Sequence, residues 1–190
     1  MTKLLFLAGS ASTNSLNKKL ARHACDLATQ KGADSEFIDL RDYDMPLYCT
    51  DWEQENGIPE NTKKLKAKFQ NCDGFFIASP EYNSTFTPLV KNTIDWMSRP
   101  HEDNEPILSA YKGKVSAIAS ISPGAIGGLR GLTPLRTMLS NIGVHVIPTQ
   151  LAVGGQNTLN DQGALIQDMH VKMMDQLVAE FITTSQKLNA

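Results

Sequence analysis

Residues 3–28 read "KLLFLAGSASTNSLNKKLARHACDLA", and this stretch has three textures. Lys3–Ala8 is almost continuously apolar, the pattern of a strand covered on both faces. From Leu16 onward the apolar side chains Leu16, Leu20, Ala24, Leu27 and Ala28 fall at helical spacing. Between them lie one glycine, several hydroxyls and asparagines, and no charged side chain before Lys18. Strand, short polar loop and helix make the βα unit from which parallel α/β sheets are built.

The same alternation continues along the chain. Short β-type runs are predicted at Ser35–Leu40, Asp73–Ser79, Lys114–Ile121 and Val144–Pro148. Helices are predicted after Pro59, with Leu65 and Phe69 as the apolar stripe, and after Thr87-Pro88, where threonine caps and proline suits the first turn. Further helices run through Leu132, Leu135 and Leu139, and through Ile166, Met169, Met173, Leu177 and Phe181, the methionines filling the core. Five strands and five helices in strict order predict a doubly wound α/β fold over one domain, residues 1–190. Ligands in such sheets bind beyond the carboxyl ends of the strands. The loops there are Gly9–Asn17, Pro80–Pro88 and Ser122–Arg130, which are also the least ordinary stretches of the chain.

Composition narrows the function. The formal net charge is -2, which points neither to nucleic acid nor to an anionic membrane surface. No apolar run is long enough to span a bilayer, and no secretory leader is expected. Cys25, Cys49 and Cys72 show no CxxC spacing, so reduced thiols in a cytoplasmic protein are expected. Cys72 is expected to be a buried structural thiol. His23, His101, His145 and His170 are scattered, so no metal site is expected, and the "HEDNE" run at His101–Glu105 reads as a solvated charge cluster.

The first loop offers hydroxyl and amide donors at a helix start, where an anion is favoured. It lacks the Lys-Ser/Thr of a Walker loop and the GxGxxG of a dinucleotide site. Lys18 and Lys19 so near a helix N-terminus are mildly unfavourable unless an anion is bound. A terminal phosphate monoester and an ordinary polar cap explain this loop equally well when it is taken alone.

The second loop separates the two. "PEYNSTFTPLVKNTIDW", Pro80–Trp96, resembles the PEYN…KN.IDW signature of the NADPH-dependent FMN reductase family, whose fold is flavodoxin-like. Gly9, Ser10, Ser15 and Asn17 match that family's first loop, with Ser12 where an arginine usually stands. Ser122, Gly124, Gly127, Gly128 and Arg130 resemble its third loop. The resemblance implies FMN as cofactor and NADPH or NADH as electron donor. It places Ser10, Ser12, Ser15, Leu16 and Asn17 at the 5′-phosphate end. Pro80, Glu81, Tyr82, Asn83, Ser122 and Gly124 fall beside the isoalloxazine. No side chain is expected to act as nucleophile or general base, since hydride transfer to flavin needs stacking and orientation. The expected acceptors are small molecules: quinones, azo compounds, metal oxyanions or free flavin. A flavodoxin-like electron carrier is the alternative, disfavoured by the weak net charge; a hydrolase using Ser10, Asp73 or Asp95 has no supporting motif. Arg130 or Arg99 could meet a 2′-phosphate. The resemblance also implies a homodimer or homotetramer, with Trp96, Arg99 and the Leu129–Leu139 helix as contact surfaces.

Overall fold

The computed structural model describes residues 1–189. Five parallel strands, β1 (Lys3–Ala8), β2 (Asp34–Ile38), β3 (Gly74–Ala78), β4 (Val115–Ser122) and β5 (His145–Gly154), form one sheet in the order β2-β1-β3-β4-β5. The helices are α1 (Leu16–Gln30), α2 (Thr50–Asn56), α3 (Glu60–Gln70), α4 (Pro88–Met97), α5 (Leu129–Asn141) and α6 (Asp168–Leu188). A single 3-10 turn, Leu40–Asp42, follows β2. The doubly wound sheet was predicted from the strand-helix alternation, and its flavodoxin-like form from the family resemblance. The strand order reverses between β1 and β3, which opens a crevice at their carboxyl ends.

The pleat sorts the core. Leu4, Phe6 and Ala8 of β1 face α1 and α6, whereas Leu5 and Leu7 face the side covered by α3, α4 and α5. Phe6 stacks on Phe76 at 5.5 Å and meets Phe181 of α6 edge-on at 6.0 Å. Each fully buried phenylalanine of this kind contributes about 1.5–3 kcal/mol of transfer free energy.

Four details depart from the sequence reading. β5 runs past Pro148 to Gly154. Being an edge strand it tolerates a residue without an N–H, and the pairing slips there: Ser116 faces Val146 but Ile118 faces Gln150. The carbonyls freed by the slip are collected by Arg136 of α5, whose guanidinium donates to Ile147 O at 2.8 Å. A sixth helix, α2, was not predicted, because none of its residues is buried and it carries no apolar stripe. On α6 the buried face is His170, Met174, Leu177, Val178, Phe181 and Ile182. Met169 and Met173 are 62% and 38% exposed, so they do not fill the core; reading past the polar His170 placed the stripe one position off. Trp96 is fully buried, its indole N–H donating to Pro46 O at 2.7 Å, which removes it as a contact surface.

The "HEDNE" segment is not a solvated cluster throughout. Glu105 is buried, ion-paired with the buried Lys66 and bonded by Ser109 Oγ at 2.5 Å and the His101 N–H at 2.9 Å. Lys66 also donates to Arg99 O at 2.6 Å. Burial alone would raise the Glu105 carboxyl, but these bonds outweigh it and hold the group down at about 2.

Candidate functional site

The three unusual loops meet at the carboxyl edge of the sheet, and specific contacts join them. Ser15 caps α1, its hydroxyl accepting from the Lys18 N–H at 3.4 Å. Ser10 Oγ accepts from the Ser12 N–H at 3.3 Å, which folds the loop back on itself. Ser10 and Ser15 are buried, whereas Ala11–Asn14 are exposed. Residue 9 is glycine because α4 leaves no room for a side chain there. A Cβ at Gly9 would lie 2.5 Å from Val90 Cγ2 and 2.8 Å from Thr87 Oγ1, so the first turn of α4 rests directly on the backbone of this loop.

Asn17 is almost wholly buried and uses both ends of its amide on one residue. Its Nδ2 donates to Ile121 O at 2.9 Å, and its Oδ1 accepts from the Ile121 N–H at 3.2 Å. The start of α1 is thereby locked to the end of β4, the strand that leads into the third loop. Leu16 packs half-buried at the same helix start.

In the second loop, Tyr82 and Thr85 exchange backbone hydrogen bonds at 2.9 and 3.1 Å across a tight turn. Asn83 and Ser84 at its tip have φ of 51° and 66°. Consecutive positive φ values define a type I′ turn, which asparagine tolerates and serine accepts only at a cost. Tyr82 is 51% exposed. It borders a largely apolar recess of about 480 Å³ whose other walls include Phe86, Pro88 and Lys91.

Glu81 and Arg130 clamp the second loop to the third. The Arg130 side chain reaches Glu81 Oε1 at 2.7 and 2.8 Å, and the Arg130 N–H donates to Oε2 at 3.1 Å. Gly128 and Gly131 let the chains approach: a Cβ at Gly128, where φ is 84°, would sit 2.0 Å from Ser120 Oγ. Gly124 differs from these. Only Ser122 Oγ, at 3.6 Å, lies near its missing Cβ, and Pro123–Ile126 are exposed. Gly124 therefore borders open space.

Lys18 does not serve the loop as a counter-charge. Its ammonium is buried and paired with Asp39 at 2.7 Å. Burial works to raise the Asp39 carboxyl, but the bonds from Lys18 and the Arg41 N–H leave it below its usual range. Arg99, weighed above as a phosphate contact, is held by Glu53 at 2.9 Å. Neither pair was legible in the sequence, because the partners are far apart in the chain. Cys72 and Cys25 are buried and their thiols pushed up to about 11 by burial, which makes both poor nucleophiles. Among the described residues there is no cluster of metal-ligating side chains. A further recess, of about 360 Å³, is lined by Lys3, Asp34 and Asn71 at the opposite end of the sheet, away from these loops.

A neutral, donor-lined loop at a helix N-terminus fits a phosphate monoester. The fold is that of the flavodoxin-like class. Residues 2–158 match the family described as NADPH-dependent FMN reductase, and the chain belongs to that family. An NAD(P)H-dependent FMN reductase of Pseudomonas aeruginosa is 30% identical over 176 residues, covering 92% of this chain and 90% of the relative. A quinone reductase of Pseudomonas putida is 31% identical with the same coverage. Among solved structures, the flavoenzyme NAD(P)H:(acceptor) oxidoreductase of Paracoccus denitrificans superposes with a TM-score of 0.83 at 26% identity, covering 98% of each chain. The protein is an NAD(P)H-dependent oxidoreductase with FMN as its cofactor and NAD(P)H as electron donor.

Proposed function

We propose that the carboxyl-edge loops hold FMN and that the enzyme passes electrons from NAD(P)H to a quinone-type acceptor. The observation that carries this reading is the convergence of the three loops, with the Glu81–Arg130 clamp closing one side. Ser10, Ser12, Ser15 and the N–H groups at the start of α1 would hold the 5′-phosphate, and Leu16 would line the ribityl chain. Pro80, Glu81, Tyr82, Asn83, Ser122 and Gly124 would contact the isoalloxazine. Asn17 acts by position: it fixes the distance between the phosphate loop and the ring loop through Ile121.

FMN supplies the chemistry, accepting a hydride from nicotinamide and passing electrons on. The chain's own part is orientation. The rigid Tyr82–Thr85 turn sets the ring's edge, and the adjoining recess, walled by Tyr82, Phe86 and Pro88, fits a planar, weakly polar acceptor. The quinone reductase relative supports that acceptor class. An electron carrier would dock a large charged partner, and a net charge of -2 provides little for that. We further infer that residues 1–190 work as one domain, in the cytoplasm, as a homodimer or homotetramer. Free cysteines and the exposed Leu129 on α5 support the last two points, and no helix is long and apolar enough to cross a membrane.

The test is steady-state oxidation of NADPH and NADH by the FMN-loaded protein with benzoquinone added. Quinone-dependent turnover well above the rate with oxygen alone is expected. Turnover that benzoquinone leaves unchanged would remove the quinone assignment.

A further inference from the structure

The phosphate loop has a cation after all, and it comes from another element. Arg41, in the 3-10 turn after β2, extends its Nη1 to Thr13 Oγ1 at 2.8 Å. Asp39 fixes the arginine's backbone by accepting its N–H at 3.1 Å. The same carboxylate takes Lys18 out of reach, so one residue both removes the nearer cation and aims the farther one. Among the described residues Arg41 forms no ion pair within 4.0 Å, so its only side-chain partner there is the neutral hydroxyl of Thr13. Thr13 lies in the exposed tip of the loop, one residue after Ser12. A recess of about 260 Å³ lined by Ala11, Leu40 and Arg41 leaves space on this side of the loop.

A phosphate monoester carries about 1.5–2 negative charges near pH 7. Neutral hydroxyls and a helix dipole of roughly half a charge leave much of that unbalanced. We propose that Arg41 supplies the cationic contact to the FMN 5′-phosphate, in the role that an arginine at position 12 would otherwise fill. This rests on the flavin site proposed above. A guanidinium has five donors in a planar fork, so it can keep Thr13 and still meet a phosphate oxygen. Lys18 cannot take this role without breaking its buried pair with Asp39.

The test compares two flavins. FMN and riboflavin differ by the phosphate, so a phosphate contact affects one and a general tether of the loop affects both. Apoprotein is titrated with each by flavin fluorescence, for the wild type, Arg41→Ala, Arg41→Lys and the double variant Arg41→Ala/Ser12→Arg. Arg41→Ala is expected to weaken FMN roughly 5- to 30-fold and to leave riboflavin unchanged. Added salt should weaken FMN binding in the wild type and do so much less in Arg41→Ala. Arg41→Lys should recover part of the affinity, and Ser12→Arg should restore it in the double variant. Equal loss for both flavins, or no loss for either, would overturn the role of Arg41 while leaving the flavin site standing. A wild type that binds riboflavin as tightly as FMN would overturn the phosphate assignment itself. A wild type that binds neither would overturn the site.

Discussion

Two polar regions of this molecule carry similar side chains and are built in opposite ways. In the segment between α4 and β4, Glu105, Ser109 and the His101 backbone join Lys66 of α3, and these groups satisfy one another in the interior. At the carboxyl edge, Ser12 and Thr13 and the tip of the Asn83–Ser84 turn are exposed, Thr13 bonded by Arg41 and the turn closed by the Tyr82–Thr85 backbone bonds. Buried polar groups cost stability unless paired, so the first region shows what the fold requires. The second exposes the hydroxyls of one loop and, in another, a turn strained at Asn83 and Ser84, and strain persists where surrounding structure over-determines it. The difference separates residues that build the scaffold from residues at the proposed flavin site.

Substitutions in the two regions should therefore separate stability from binding. The largest stability effect is expected for Glu105→Gln, which leaves the Lys66 ammonium buried without a counter-charge. A loss of about 3–5 kcal/mol in urea unfolding, with FMN affinity of the remaining folded protein unchanged, is the outcome expected of a scaffold pair. The acid limb sharpens this. Glu105 is held at about 2 against an ordinary 4.5. A depressed carboxyl stabilises the fold fully above the unfolded value, and that contribution is lost as pH falls from 4.5 toward 2. Thermal melts between those limits should fall steeply in the wild type and less steeply in Glu105→Gln; parallel curves would assign the acid limb to other groups.

Gly9→Ala tests where the two kinds of region touch. Its Cβ would press on Val90 and Thr87 at the start of α4, and overpacking of this kind costs about 1–3 kcal/mol. Unlike Glu105→Gln, it should also weaken FMN, because the loop must move off α4. Stability lost with FMN affinity intact would show that the loop's seat on α4 has no bearing on the ligand. The smallest effect is expected for Ser15→Ala, which removes the α1 cap at about 1 kcal/mol. It should weaken FMN by a similar increment, read by fluorescence titration against riboflavin. A change in melting temperature alone would make Ser15 a cap and nothing more.

The sequence makes some of this legible and hides the rest for physical reasons. β1, β3 and β4 are short apolar runs covered on both faces, and the Thr87-Pro88 start of α4 is a local signal; both appear where predicted. The PEYN stretch is readable through its match to a family signature; the tight turn at Asn83–Ser84 is seen only in the structure. Lys66–Glu105, Lys18–Asp39, Glu81–Arg130 and Arg41–Thr13 are tertiary pairs. No periodicity or motif announces them, so the charged segment was read as solvated and Lys18 as uncompensated. The α6 stripe was misplaced because a histidine occupies a buried position.

The central claim is that the open edge holds an FMN that NAD(P)H reduces directly. The most direct measurement is rapid mixing of the FMN-loaded protein with NADPH or NADH under nitrogen, following the flavin's visible absorbance. The account predicts bleaching by at least one nucleotide and recovery of colour when a quinone is added. Bleaching by dithionite but by neither nucleotide would contradict it and leave this edge as the flavin site of an electron carrier.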